Sequence, residues 1–380
     1  MAGTPQVVFM HSDMPMALGA PDRVLRATSQ EALQRLPEQI DEALGAGYRF
    51  ACGLLPYGIG IGGGDIQAST GEVRVYLYRH GPVPYSADPG RHFRLSTPFQ
   101  PEQEQSHYHQ AVARIRDWLV AGDCYQVNYA QRFCATWQGD PLAAFDRLLA
   151  AHPAPHACFF RAGGEAVFGV SPERFLSITG RRVSTEPIKG SQPRGADEQE
   201  DRMLGGRLLT SAKDRAENVM IVDLLRNDLG RFCEPGSIRA APLFELRRFS
   251  NVQHLVSTVT GTLRTGVRPL AALLDAFPGG SITGAPKRRA MQIIAELEPA
   301  PRGAYCGSFF WQDDQGRFDS NILIRTLQTD GDRLYCHGGG GIVYDSEPAA
   351  EYEESWFKVR KLMAALAASG VTPQCRAGWP

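Results

Sequence analysis

Short runs with strand character alternate along this chain with stretches of helical period, but without the strict strand, helix, strand rhythm that a parallel sheet requires. EVRVYLYRH (72–80), VNYAQRF (127–133), AVFGVSPERFLSI (166–178) and LFELRRFSNVQHLVSTVTGTL (243–263) read as strands. YHQAVARIRDWLVAG carries Val112, Ile115, Leu119 and Val120 near helical spacing, and further helices are expected over 212–232 and after GAPK. No internal repeat or low-complexity tract appears, so the pattern predicts a mixed α+β fold. At 380 residues and 43% hydrophobic content the chain can bury a large core, and length alone suggests two or three folding units. The proline-rich, glycine-rich and polar segment 81–108 has no period and reads as a separator between an N-terminal piece and the main body.

Charge and cysteine usage exclude several functions. Forty basic against forty-one acidic residues leave a net charge of −1, which gives no sign of nucleic acid or an anionic membrane as partner. The start, MAGTPQVVFMHSDMP, lacks a basic n-region, and no apolar run of about 18 residues follows, so a soluble cytoplasmic protein is the expectation. The eight cysteines form no C-x-x-C pair and read as reduced structural thiols.

The segment EPIKGSQPRG places Lys189 in an apolar turn that Pro187 and Pro193 stiffen and Gly190 bends. Burial there would favour the unprotonated amine and make Lys189 a nucleophile; a solvated or phosphate-binding loop lysine is the alternative. GIGIGG (58–63) imitates a dinucleotide loop, but no apolar helix follows and a hairpin turn fits better. GGSITGAPK (279–287) imitates a phosphate loop with its lysine displaced by Ala285 and Pro286, although a helix start there could receive a carboxylate.

Glu217 shares a helical stripe with Ile221 and Leu224, and a carboxylate aimed at a core needs a partner. Lys213 at i−4 would make it a surface pair instead. On AEYEESWFKVRKLMAAL, Glu351, Glu354 and Lys358 line one stripe beside the apolar face of Tyr352, Trp356, Val359, Met363 and Leu366. Two carboxylates on that face and one on a distant helix could hold Mg²⁺ with waters retained; the pair Glu354 and Lys358 alone would be surface decoration. Gly338–Gly341, after a strand, would let an anion approach backbone N–H groups or would form a flexible loop. Arg325 is suited to a bidentate carboxylate bond, His254 reads as a core histidine or a ligand contact, and Glu173 as a general acid or a turn residue.

Taken in order, GDCYQVNYAQRF, FGVSPERF, PIKGSQPRG, AENVMIVDLLRNDLGR, VQHLVSTVTG, GGSITGAPK, YCGSFFW, NILIRT, GGGGIVYDS and AEYEESWFK resemble the chorismate-utilising enzymes, the family of anthranilate, isochorismate, salicylate and aminodeoxychorismate synthases. The resemblance implies an α+β fold in which two lobes of antiparallel β-sheet sandwich the active site with flanking helices. It implies a chorismate-binding catalytic domain over 106–365, an N-terminal region 1–100 woven into one lobe, and a tail 366–380.

Within the family, isochorismate and salicylate synthases carry lysine where this chain has Gln126, and anthranilate synthases usually carry alanine where it has Lys189. Lysine in P-I-K-G is the mark of the aminodeoxychorismate synthase branch, and the absence of an LLES segment near the N-terminus agrees. The implied activity is a transaminase-class synthase: Lys189 attacks C2 of chorismate, ammonia then adds at C4, and 4-amino-4-deoxychorismate results, on the route to 4-aminobenzoate and folate. Glu173 is then the general acid. Glu217 and Glu354 match the Mg²⁺ ligands, with Asp214 and Glu351 acting through water. Gly190, Ser191, Gly339, Gly340 and Gly341 supply backbone contacts, Tyr305, Arg325 and Lys358 hold carboxylates, and His254 sits near the departing hydroxyl. No G-x-C-x-G elbow occurs, so a glutamine amidotransferase subunit is the expected ammonia source, and a second enzyme is expected for the release of 4-aminobenzoate. Anthranilate synthesis and a non-catalytic chorismate-binding subunit are the competing readings.

Overall fold

The computed structural model describes residues 4–60, 72–248 and 252–367. Their strands assemble into an 11-stranded sheet, a 9-stranded sheet and a small three-stranded sheet, and every pairing is antiparallel. The two large sheets face each other across an aromatic layer. Phe9 of the first stacks on Phe50 of the second at 5.5 Å, Phe50 on Trp311 at 5.6 Å, and Tyr76 on Phe160 of the first at 4.8 Å. Such ring pairs bury large apolar area and prefer these offset geometries, so they lock the sandwich the sequence implied.

The N-terminal region is shared between the sheets and does not join one lobe alone. Val7–His11 and Met14–Leu18 enter the 11-stranded sheet, whereas Arg23–Ala27, Phe50–Leu55 and Val73–Tyr78 enter the other. The expected separator 81–108 is a strap: its two- and three-residue strands Phe93–Leu95 and Gln100–Pro101 pair with the long strand Gln126–Gly139. Segments that short need no apolar period to make ladder bonds, which is why the sequence pattern does not reveal them. Of GIGIGG, Gly58, Ile59 and Gly60 belong to the 3₁₀ turn Tyr57–Gly60 between two antiparallel neighbours, and the rest lies outside the described residues, as does the tail beyond 367. The seven described cysteines are free, and no described helix is long and apolar enough to cross a membrane.

The strand Gln126–Gly139 is the spine of the first sheet, paired along its length with Arg333–Ile342. Helix Pro348–Ala367 lies across that pair and buries Tyr352, Val359, Leu362, Met363 and Leu366. Its approach depends on Gly338, where an added Cβ would collide with the carbonyl oxygen of Ser355. Since the obstacle is backbone, relief requires the helix to shift. Gly338→Ala should lower the unfolding free energy by about 1–3 kcal/mol in urea denaturation, the usual cost of overpacking; unchanged stability would show that the helix is not seated on this glycine.

Candidate active site

The segment expected as a lysine-bearing loop is a strand. Ile188–Pro193 pairs with Val252–Val256 in the three-stranded sheet, and the register breaks between Lys189 and Ser191. Gly190 takes φ 77° at that break, and a Cβ there would lie 2.6 Å from Leu208 Cδ1 and 3.0 Å from Asp214 Cγ, so glycine suits both the left-handed backbone and the close packing. Pro187 and Pro193 stand at the strand ends, where a missing N–H is tolerated.

The partner that Glu217 requires is Lys189. The Lys189 ammonium donates to Glu217 Oε1 at 2.7 Å, and Gln126 Nε2 approaches the same oxygen at 3.5 Å. Burial pushes the Glu217 carboxyl up, but the Lys189 charge and hydrogen bond outweigh it and hold the group below the ordinary carboxylate range. Asp214, whose N–H is capped by Ser211 Oγ at the start of helix Ala212–Gly230, packs under the bulge at Gly190.

Beyond the bulge, Ser191 Oγ and His254 Nδ1 share a hydrogen bond of 2.8 Å. His254 is 2% exposed, and burial together with the positive charge of Arg325 draws its pKa down to about 4, so the ring is neutral at pH 7. Arg325 sits in the left-handed region at φ 52°, its pKa lowered by burial, and among the described residues its guanidinium has no hydrogen bond or ion pair. A cation enclosed without a carboxylate is what an anion-receiving site needs.

Glu173 lies at the bend between strands Glu165–Ser171 and Arg174–Thr179, 7% exposed. Its N–H donates to Ser171 Oγ at 3.2 Å, its carbonyl accepts from Ile322 N–H at 3.0 Å, and its Oε1 accepts from Ser281 Oγ at 2.8 Å. Burial raises its pKa against the opposing influence of Ser281 and Lys189, the direction that suits a general acid.

On the other side, the carboxylates of helix Pro348–Ala367 come over the glycines of Arg333–Ile342. A Cβ on Gly340 would stand 3.1 Å from Glu354 Oε1, 3.3 Å from Glu351 Oε2 and 3.3 Å from Lys358 Nζ. Lys358 bridges Glu354 at 2.7 Å and donates to Gly339 O at 2.8 Å. Glu351 accepts from Ser346 Oγ at 2.6 Å, and its pKa is raised by burial and by the charge of Glu354. Gly338–Gly341 are ladder-paired on one edge with Asn128–Gln131, but the strand Thr326–Asp330 on the other edge reaches only to Cys336. The glycines are strand, not loop; among the described residues no strand pairs with them on the second edge, Glu354 lies over the face at Gly340 and Lys358 bonds to Gly339 O.

No three acidic, histidine or cysteine side chains among the described residues form a ready metal cage, since Glu217 and Glu354 each hold a lysine. The donor chemistry nevertheless fits Mg²⁺. Glu351 and Glu354 bring hard oxygens to the space a Cβ on Gly340 would fill, and Glu217 feels the charge of Lys358. Tyr305 has different company from the other candidates: it stacks on His337 at 4.9 Å beside the buried Arg302. Sequence reasoning missed Ser281, Gln126 as a side chain lying over Gly341, and Asn218, which is fully buried and accepts from Ser257 Oγ at 2.6 Å. Ser281 lies within the glycine-rich stretch GGSITGAPK, read as a phosphate-loop imitation whose helix start could receive a carboxylate and as one of the family motifs, with no role for the serine itself.

The neutral His254 has a consequence for stability. Its folded pKa lies below its unfolded one, so the unfolded chain binds the extra proton, and stability falls as pH drops from about 6.5 toward about 4. The loss across that window is on the order of 3 kcal/mol for this ring. His156 and His337, both drawn by burial to about 3, add to the trend. Urea midpoints measured at pH 7 and pH 5 should therefore differ less in His254→Gln than in the unaltered chain; equal differences would mean that the ring is not held neutral.

A sequence profile for the family described as chorismate binding enzyme matches residues 72–364. An aminodeoxychorismate synthase component 1 of Klebsiella aerogenes is 49% identical over 274 residues, which cover 72% of this chain and 61% of that protein. An anthranilate synthase component 1 of Cereibacter sphaeroides is 41% identical over 264 residues, covering 70% of this chain and 53% of that protein. The chain thus matches about three fifths of the length of the first relative and about half that of the second. Among solved structures, anthranilate synthase component I from Streptococcus pneumoniae TIGR4 superposes with a TM-score of 0.76 at 27% identity, covering 96% of this chain and 91% of that one.

Proposed function

Since the chain belongs to the chorismate binding enzyme family, we propose that it is the synthase subunit that converts chorismate and ammonia to 4-amino-4-deoxychorismate. The observation that carries this reading is Lys189, an amine on a bulged strand between Glu217 and the buried acid Glu173. An amine so placed suits covalent catalysis, and it has no use in a module that only binds.

In this reading the Lys189 ammonium first gives up a proton to solvent at mildly alkaline pH; the free amine forms a bond to C2 of the ring while the C4–O bond breaks, and Glu173 gives its proton to the departing hydroxyl, which leaves as water. Ammonia then bonds to C4 and the C2–N bond to Lys189 breaks, which restores the amine. Arg325, without a counter-ion among the described residues, would take a substrate carboxylate; Lys358 and Tyr305 would hold carboxylates from their own places in the site, and Gly339, Gly340 and Gly341 would offer backbone contacts. Gly190 and Ser191 would contact the ring from the bulge, and neutral His254 would accept or donate a hydrogen bond near C4 without adding charge. Glu217 and Glu354 would hold Mg²⁺, with Asp214 and Glu351 acting through water; the metal would supply charge neutralisation for a carboxylate next to the reacting carbon.

Ammonia would come from a glutamine amidotransferase subunit, and a cytoplasmic setting, amino-group transfer as the reaction class and a place on the route to 4-aminobenzoate and folate belong to the same proposal. The higher identity to the aminodeoxychorismate synthase relative than to the anthranilate synthase relative supports it, as does lysine at 189.

The purified chain, given chorismate, Mg²⁺ and concentrated ammonium at mildly alkaline pH, should form aminodeoxychorismate without pyruvate, read by liquid chromatography and mass spectrometry. Lys189→Ala should abolish that product. Anthranilate with pyruvate, insensitive to Lys189→Ala, would transfer the chain to anthranilate synthesis, and bound but unconsumed chorismate would make it a binding subunit.

A further inference from the structure

The glycine-rich stretch 279–287 takes no part in the reaction as written, yet backbone and side-chain hydrogen bonds hold it on several sides. Gly280–Ile282 form a single 3₁₀ turn. Thr283 Oγ1 donates to Gly279 O at 3.0 Å, Arg302 Nη1 donates to Ile282 O at 3.0 Å, and Asn128 N–H donates to Thr283 O at 2.8 Å. Behind the turn, the Lys287 ammonium donates to Asp228 Oδ2 at 2.7 Å and to Ala276 O at 2.9 Å, pinning the start of helix Lys287–Leu297 to the end of helix Ala212–Gly230. Asp228 and Arg302 are almost wholly buried, and buried charges of this kind stay put because either partner alone would be costly. The turn presents Ser281 to Glu173.

We propose that Ser281 is the positioning residue for the general acid: its hydroxyl claims Glu173 Oε1, so that the acidic proton resides on Oε2 and is delivered from there to the departing oxygen. A neutral carboxyl has one hydroxyl and one carbonyl oxygen, and a donor fixed on Oε1 selects the form with the proton on Oε2. When the C4–O bond breaks, the proton leaves Oε2 with the hydroxyl as water and Glu173 becomes a carboxylate. The same Ser281 hydroxyl then stabilises that charge from where it already stands, on a turn held by three hydrogen bonds. Besides burial, the groups that act on the carboxyl are Ser281 from this turn and Lys189 from the bulged strand, while the buried thiol of Cys306 in turn feels the charge of Glu173. Ile322, on the remaining neighbour, binds the Glu173 backbone. The inference rests on the reading of Glu173 as the acid in the proposed function.

Loss of the hydroxyl should move two observables in a way that loosened packing would not. In Ser281→Ala, kcat should fall roughly 10- to 100-fold with the KM for chorismate unchanged, as expected when a reacting group is misoriented. The alkaline limb of the kcat profile should move to higher pH, because the carboxylate has lost a hydrogen bond that favoured it. Ser281→Thr, which keeps the hydroxyl, should restore both, and Ser281→Cys, a weak donor of similar size, should fall between and serves if the alanine variant does not fold.

The Glu173 carboxyl can also be followed by carbon-13 NMR in protein labelled at glutamate, with Glu173→Gln to identify the signal, and this titration needs no turnover. An upward shift in Ser281→Ala in a chain that makes anthranilate, or nothing, would sink the proposed function and leave the Ser281–Glu173 coupling standing. Aminodeoxychorismate formation with an unmoved Glu173 titration, an unmoved or lowered alkaline limb, or a threonine variant as slow as alanine would overturn the role of Ser281.

Discussion

The pairing of Gln126–Gly139 with Arg333–Ile342 is the constraint on which the site depends. Where that ladder reaches Gly338–Gly341 the sheet has no side chains on the second strand, and helix Pro348–Ala367 settles close enough for Lys358 to reach Gly339 O. That contact carries Glu351 and Glu354 over the sheet. The first strand of the ladder brings Gln126 to Glu217, and its backbone accepts from Arg302 at Asn128 O and donates to Glu298 from Ala130 N–H. An added Cβ would meet the helix backbone at Gly338, the paired strand at Gly339, the helix's Glu354, Glu351 and Lys358 side chains at Gly340 and Gln126 at Gly341, so close backbone approach is what lets the two halves of the site meet.

Charge in the site follows from that geometry. Glu217 is matched by Lys189 and Glu354 by Lys358, while His254 is kept neutral and Glu173 is pushed toward its neutral form by burial. Arg325 alone among these groups is enclosed with no partner in the described residues, which leaves one net site for an incoming anion. Around this centre, Arg302 with Glu298 and Lys287 with Asp228 are buried ion pairs that also bond to backbone carbonyls. Their value lies in fixing a unique arrangement of turns more than in net stability, since buried pairs gain little over apolar packing.

Much of this was legible along the chain. The stripe of Glu351, Glu354 and Lys358 was readable because spacings of three, four and seven put residues on one helical face wherever the helix lies. The lysine-bearing segment was misread as a loop because its prolines and glycine are the usual punctuation of turns. Tertiary pairing with Val252–Val256 uses the same residues as strand ends and a bulge. The N-terminal region was expected in one lobe, but its strands are complementary to edges of both sheets, and edge complementarity leaves no periodic mark.

The sequence by itself determined the mixed α+β class, the family and the inventory of reactive groups, because period and motif order are local properties of the chain; the antiparallel sheets followed only from the family resemblance. Only the tertiary structure decided which groups meet. Lys189 finds Glu217 across 28 residues and Glu173 finds Ser281 across 108, contacts set by how helices and sheets pack. The burial that makes one carboxyl an acid and another a counter-ion is likewise a property of the assembled core: the desolvation that separates them exists only after the chain has closed around both.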